Sequence, residues 1–434
     1  MKATILATLL LGAATALAAQ EVTAIRAGRL VDVEQGKVLQ NQVVLVQGEK
    51  IVAVQPAGAA IPRGARVIDL SAYTVLPGLI DLHTHLVGDI ASASPTAPLT
   101  QSGAQDALAG VRNARATLLA GFTTVRDIGT YRAFVDVALR NAINDGTVLG
   151  PRMQVAGAYV TVSSGGGEVT GVAADVTVPA DMRRGVANSA DEVRQRVREL
   201  LNGGADFIKI IATGAVLAPG TEPGAPEYTE EEIHAAVTEA ANYGTFVAAH
   251  AHGAEGIKRA VRAGVRSIEH GSLADDEALQ LMKDHGTWLL AAIYNADHTD
   301  SVGTRDHWHA DILRKNRETT ETQRTAFRKA VKLGVPIAYG TDSGVYPHGM
   351  NAAQLPYMVR YGMTPMQAIQ SATINAARMM GWDGAIGSLA AGKYADLVAV
   401  QGDALADLGR FMRVDFVMKG GVVLKEGGKP TASW

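Results

Sequence analysis

Two kinds of hydrophobic pattern alternate along the chain and divide it into three parts. From residue 20 to 78, short apolar runs of strand type are broken by Gly, Pro and Asp, as in TAIRAGRLVDVEQG, NQVVLVQGEKIVAVQP and ARVIDLSAYTVLPG. The last part, from about Tyr394, repeats that texture in ADLVAV and VDFVMKGGVVLKEGG. Neither end is long enough to bury a good core alone, so residues 19–78 and 390–434 are expected to pack together as one small β-sandwich domain. The stretch between, 79–389, alternates strand-like and helix-like runs. Its strand candidates are GLIDLHTHL, FTTVRDIG, RMQVAGAYV, ADFIKIIA, TFVAAHAH, RSIEHGS, TWLLAAIY and PIAYGTDSG. Amphipathic stretches between them, such as SADEVRQRVRELLN and TEEEIHAAVTEAANY, open on a capping Ser or Thr and carry acids in the first turn. Strand followed by helix, repeated in this way, predicts an α/β fold: a TIM (β/α)8 barrel, with an open doubly wound sheet as the other possibility.

Composition narrows the function. With 47% hydrophobic residues and a net charge of -3, the 434-residue chain is neither disordered nor basic enough to suggest a nucleic-acid partner. It has no cysteine, so thiolate metal sites, disulfides and cysteine nucleophiles are excluded. Any metal must be held by His, Asp, Glu or a modified Lys. The first residues, MKATILATLLLGAATALAAQ, combine a cationic start, a short apolar run and Ala-Leu-Ala. They read as a cleaved signal peptide over residues 1–18, which predicts export to the periplasm or medium and no stable membrane insertion.

The polar residues decide between the two folds. His83 and His85 close the first strand candidate, Lys209 lies late in the fourth, His250 ends the fifth, His270 the sixth and Asp342 the eighth. In a barrel these ends surround one mouth; in an open sheet they would lie along a line too wide for one metal centre. Strand alternation points His83 and His85 the same way, and His252 shares a face with His250. His252 either meets the substrate or is a loop histidine at a helix start. Lys209, among apolar residues on a buried strand, is either an ion-paired or snorkelling lysine, or one carboxylated to an anionic ligand. Burial frees the amine for that reaction. Arg126 and Asp127 end the second strand, as support for the ligands or as a rim ion pair.

These motifs, with PGLIDLHTHL, TTVRDIG, DFIKI, VAAHAHG, SIEHGS, AYGTDSG and GSLAAGKYADLV in order, resemble the amidohydrolase superfamily over nearly the whole chain. Within it the chain is similar to the Xaa-Pro dipeptidase (prolidase)-like metal-dependent carboxypeptidase branch, which includes bacterial ochratoxin A-degrading amidohydrolases. The resemblance implies a binuclear zinc centre. His83, His85 and Asp342 would bind the more buried ion, His250 and His270 the other, and carbamylated Lys209 would bridge both with a hydroxide. Such a hydroxide would attack the scissile amide, with Asp342 passing its proton to the leaving nitrogen. The resemblance also implies a small substrate with a free carboxylate beside the scissile bond, a Xaa-Pro dipeptide or an N-acyl amino acid such as ochratoxin A, and a homo-oligomer. It makes Tyr228 a candidate donor to the oxyanion, a packing role being the alternative. One departure stands out: where relatives carry T-G-G-H after the third strand, this chain reads TVSSGGGEVTG, with Gly167 at the histidine's place. That change predicts a wider or more mobile loop there and argues against strict Xaa-Pro specificity. The rival readings are a mononuclear cyclic amidohydrolase or deaminase of imidazolonepropionase type, which would lack the bridging lysine, and a non-catalytic barrel scaffold.

Overall fold

Sixteen strands form among the described residues, in two textures matching the two hydrophobic patterns. The computed structural model describes residues 21–88, 96–173 and 175–431; the expected signal peptide, 1–18, lies outside them. The chain opens with β1 (Val22–Asp32), β2 (Lys37–Gln47), β3 (Lys50–Pro56) and β4 (Arg66–Pro77). Then come β5 (Leu79–Thr84), β6 (Phe122–Asp127), β7 (Arg152–Val155), β8 (Tyr159–Val160), β9 (Ile208–Ile211), β10 (Val247–Gly253), β11 (Ser267–Leu273) and β12 (Trp288–Leu290). The last four are β13 (Leu397–Gln401), β14 (Phe416–Lys419), β15 (Val422–Glu426) and β16 (Lys429–Pro430).

Both chain ends enter one sheet, in the order β16-β15-β14-β13-β4-β1-β2-β3. Where the sequence predicted a sandwich, the ladder runs unbroken through all eight strands. The join is antiparallel, with Val398 opposite Leu76 on β4, while β4 pairs parallel to β1 on its other edge. Ile25, Val44, Ile68, Val75, Leu397 and Phe416 bury one apolar cluster; Ala24, Val43 and Leu45 point into another. This two-sided burial explains why the end strands read as near-continuous apolar runs.

In the middle, all pairings are parallel, in the orders β5-β6-β7 and β8-β9-β10-β11-β12. The third strand candidate is split into β7 and β8, because Gly157 between them takes a left-handed φ of 76°. The eighth candidate, 336–344, forms only isolated bridges but touches both sheets: Ile337 bridges Leu289 of β12, and Ser343 bridges Thr84 on β5. Helices follow the strands as the pattern predicted. Ser102 and Thr229 form capping boxes, and Ser189 and Asp275 cap the helices Ala190–Asn202 and Asp276–His285. The stretch 294–310 contains the helix Asn295–Arg305, followed by the 24-residue helix Ala310–Leu333. Among the described residues no helix is long and apolar enough to cross a membrane.

Candidate metal centre and active-site cavity

β5 is buried along its whole length, and period-two alternation sends His83 and then His85 to one side. There they meet Asp342, whose Oδ1 lies 3.3 Å from His83 Nε2 and 3.2 Å from His85 Nε2. Asp342 reaches this point through a left-handed backbone, φ 61°, fixed by its amide donating to the His83 carbonyl at 2.7 Å. A non-glycine residue in that region is strained, and such strain persists where the surroundings over-determine it. A second group forms on β10 and β11. The rings of His250, His252 and His270 lie 4.6–4.7 Å apart, centroid to centroid. His270 too is left-handed, φ 70°. In each group the nitrogen and oxygen donors fall within 4.8 Å of one another, close enough to share one cation. The groups adjoin, with the His83 and His270 rings 5.0 Å apart.

Lys209 lines the same cavity, 2% exposed. It neighbours Ala248 of β10 in the ladder. Its ammonium has neither a hydrogen bond nor an ion pair among the described residues. Burial lowers its pKa to about 8, with the positive charge of Arg126 acting in the same direction and Glu269 opposing.

Behind His83 stands a buried relay. Glu269 Oε2 lies 2.9 Å from His83 Nδ1, and Arg126 Nη2 donates to Glu269 Oε1 at 2.6 Å. Burial would raise the Glu269 pKa, but Arg126 and then His83 outweigh it and hold the carboxylate well below its ordinary range. Asp127 supports the backbone instead. Its Oδ2 accepts from the Leu86 amide at 2.6 Å, fixing the chain just past His85. His85 Nδ1 lies 3.1 Å from the Gly129 carbonyl and 3.2 Å from the Tyr159 hydroxyl. In the second group, His252 Nδ1 lies 2.8 Å from Ser272 Oγ, and His250 Nε2 is 3.3 Å from the Gly214 carbonyl. These contacts occupy one nitrogen in each of the His83, His85, His250 and His252 rings and leave the other for a ligand.

The electrostatics of the groups differ. Burial, with the neighbouring imidazoles, pushes His250 and His270 well below the ordinary histidine range. Burial also takes His252 down to about 3, despite the opposing charge of Asp342. In the first group burial opposes charge on His83, yet Asp342 and Glu269 raise it overall.

The cavity over both groups has a volume of about 130 Å³ and opens to solvent. Another wall is made by Ala215, Val216 and Leu217 and by the helices after β12, through Asn295, Thr299, Asn316, Thr319 and Gln323, and Asn295 Nδ2 donates to Asp342 Oδ2 at 2.8 Å. The structure thus unites His83, His85, Lys209, His250, His252, His270 and Asp342. It does not bring Tyr228 to them. That ring is buried in the apolar core, outside the cavity lining, and its hydroxyl donates to the Ala187 carbonyl at 2.8 Å. Its role is packing, because the helix beginning at Glu230 turns it inward. Tyr159 and Tyr131 line the cavity instead. The loop at Gly167 is also closed, not widened: a Cβ there would meet Ile211 Cγ1 at 2.7 Å, so this backbone leaves a histidine no room. Glu227 holds that loop by accepting twice from the Gly166 amide, at 2.9 and 3.0 Å.

A cavity lined by two such donor groups, on parallel strands, defines the protein as a metal-dependent hydrolase. The family model described as "Amidohydrolase family" matches residues 74–424, and the chain belongs to that family. It hydrolyses amide bonds and is close to ochratoxinase and prolidase. It is 33% identical to ochratoxinase of Aspergillus niger, over 94% of this chain and 88% of that protein. The crystal structure of that ochratoxinase superposes with a TM-score of 0.84 at 30% identity, covering 96% of this chain and 99% of the other. A Xaa-Pro dipeptidase crystallised with methionine in its active site superposes at 0.87 with 37% identity, covering 93% of this chain and all of that one. Imidazolonepropionase of Geobacillus kaustophilus is 26% identical over 90% of this chain and 92% of that protein.

Proposed function

We propose that the enzyme cleaves an amide bond next to a free carboxylate, in dipeptides of Xaa-Pro type or N-acyl amino acids such as ochratoxin A. The observation that carries this reading is the unpartnered, buried Lys209 in a cavity shared by two donor groups. The donor set fits two divalent ions, zinc by its borderline nitrogen and oxygen ligands. His83, His85 and Asp342 would hold one and His250 and His270 the other, with carbamylated Lys209 between them. An ammonium at Lys209 would repel a cation; a carbamate supplies the missing anionic oxygens. When bound, the ions supply an activated water and polarise the scissile carbonyl.

The protein's own groups do the rest. Asp342, already fixed by His83 and His85, is the proton acceptor that returns the proton to the leaving nitrogen. Among the described residues lining the cavity there is no arginine. Recognition of the substrate carboxylate therefore falls to His252, anchored by Ser272, with the Tyr131 hydroxyl nearby on the wall. We also propose that the parallel strands close into a (β/α)8 barrel through 336–344, with residues 79–389 as the catalytic domain and the two ends as the second. The enzyme would be exported after loss of residues 1–18 and would self-associate.

The test is a panel of Xaa-Pro dipeptides and N-acyl phenylalanines, each also as its carboxamide, with metal measured on the same sample. Near two metals per chain and turnover of the free acids alone is the expected result. Equal turnover of the carboxamides would refute the carboxylate requirement. One metal with full activity would favour the second reading, a mononuclear cyclic amidohydrolase, for which the imidazolonepropionase similarity speaks.

A further inference from the structure

A second fully buried lysine lies outside the metal centre. Lys315, on the helix Ala310–Leu333, is 0% exposed. Its ammonium donates to the carbonyls of Ala215, Ala218 and Thr221 at 3.1, 2.8 and 3.1 Å, and lies 3.1 Å from Asp311 Oδ2 one turn earlier. A buried charge needs such saturation, since leaving it unpaired is strongly destabilising. The three carbonyls belong to the loop after β9, which curls around the ammonium as a chelating loop curls around a cation. Thr221 tightens the curl: its Oγ1 accepts from the Ala215 amide at 3.0 Å and donates to the Ala218 carbonyl at 2.9 Å.

The outer side of this curl is the cavity wall formed by Ala215, Val216 and Leu217. The same helix, one residue past Lys315, puts Asn316 and then Thr319 on that cavity. Lys315 therefore fixes the spacing between two wall elements, the loop and the helix, without lining the cavity itself.

We propose that Lys315 is a positioning residue for substrate binding: it shapes the apolar wall of the cavity formed by Ala215, Val216 and Leu217. The proposal rests on the amide-hydrolase reading above. Removing the ammonium frees three carbonyls and lets the loop relax, which loosens the fit of a bulky acyl group and leaves the donor groups intact.

Two variants test it, each as metal-loaded full-length enzyme. Lys315→Met and Thr221→Val should raise KM for a bulky aromatic N-acyl amino acid about tenfold, equivalent to one strong hydrogen bond. The value of kcat and the metal content should stay within about twofold, and amide hydrogen exchange across 215–221 should quicken. Thr221→Ser should restore both KM and protection. Should Lys315→Met fail to fold, the Thr221 pair gives the same readout. Unchanged loop exchange, or a fall in kcat and metal with KM unmoved, would overturn the proposal. A parent enzyme inactive on the whole substrate panel would instead sink the functional reading, and loop exchange would still report on Lys315.

Discussion

The two donor groups adjoin, yet they are built on opposite principles. His83, His85 and Asp342 form an anionic site with its own counter-charges behind it, the Glu269–Arg126 relay. His250, His252 and His270 form a neutral site held by a serine hydroxyl and a backbone carbonyl. The first is preorganised by charge and the second by burial. A cation fits the first as it stands. In the second, imidazoles kept neutral offer donors but no negative charge, and the anion in the proposed reading is a carbamate on Lys209, which lines the same cavity.

The strongest way to break this contrast is to remove that anion. Lys209→Ala should cut kcat/KM by at least about a thousandfold. Metal retained should fall from two per chain towards one, by elemental analysis, because the neutral site empties first. Two metals and near-normal hydrolysis in this variant would mean the lysine is not a ligand. Glu269→Gln strikes the other side. It leaves Arg126 buried without its carboxylate and loosens His83, so affinity for the ion in the anionic site should weaken about 10- to 100-fold in a chelator competition, with the neutral site unaffected. Substituting His252 by Asn should keep both metals and raise KM about tenfold for a carboxylate substrate; loss of one metal would make His252 a ligand.

The smallest expected effect is on stability, and it differs in sign between His252 and His83. In metal-free protein the depressed His252 refuses a proton that the unfolded chain accepts below its ordinary pKa near 6.5. Stability is therefore present above about pH 6.5 and lost as pH falls towards about 3, by a few kcal/mol at most. His83, being raised, adds stability below pH 6.5 that disappears as pH climbs through its folded value. Urea unfolding of chelated samples should show a flatter acid limb in His252→Asn, and in His83→Asn an unchanged acid limb with a smaller loss of stability above pH 6.5. Parallel limbs would remove the electrostatic distinction.

The two groups also differ in how well the sequence announces them. His83, His85, His250, His270 and Asp342 were legible because each ends a short apolar run, so strand period and chain position suffice. Glu269 sits beside His270 in SIEHGS and was missed: its partners Arg126 and His83 come from two other strands, and nothing local marks a pairing made across the fold. The wall of helices after β12 escaped for another reason. Residues 294–310 are polar and lack a long apolar stripe, so they read as loop, while Asn316, Thr319 and Gln323 recur at helical spacing with neutral heads that resemble a solvated face. Tyr228 misled because standing just before a helix near the mouth says nothing of where the ring turns.

The eight-stranded ladder has a consequence for biosynthesis. β4 is made early, but its second edge stays open until β13 leaves the ribosome, since Val398 must lie against Leu76. Such distant pairing delays closure of the sheet until the chain is nearly complete. The same wiring makes the final strands a check on completeness: a chain that stops before β13 leaves the edge of β4 without its partner.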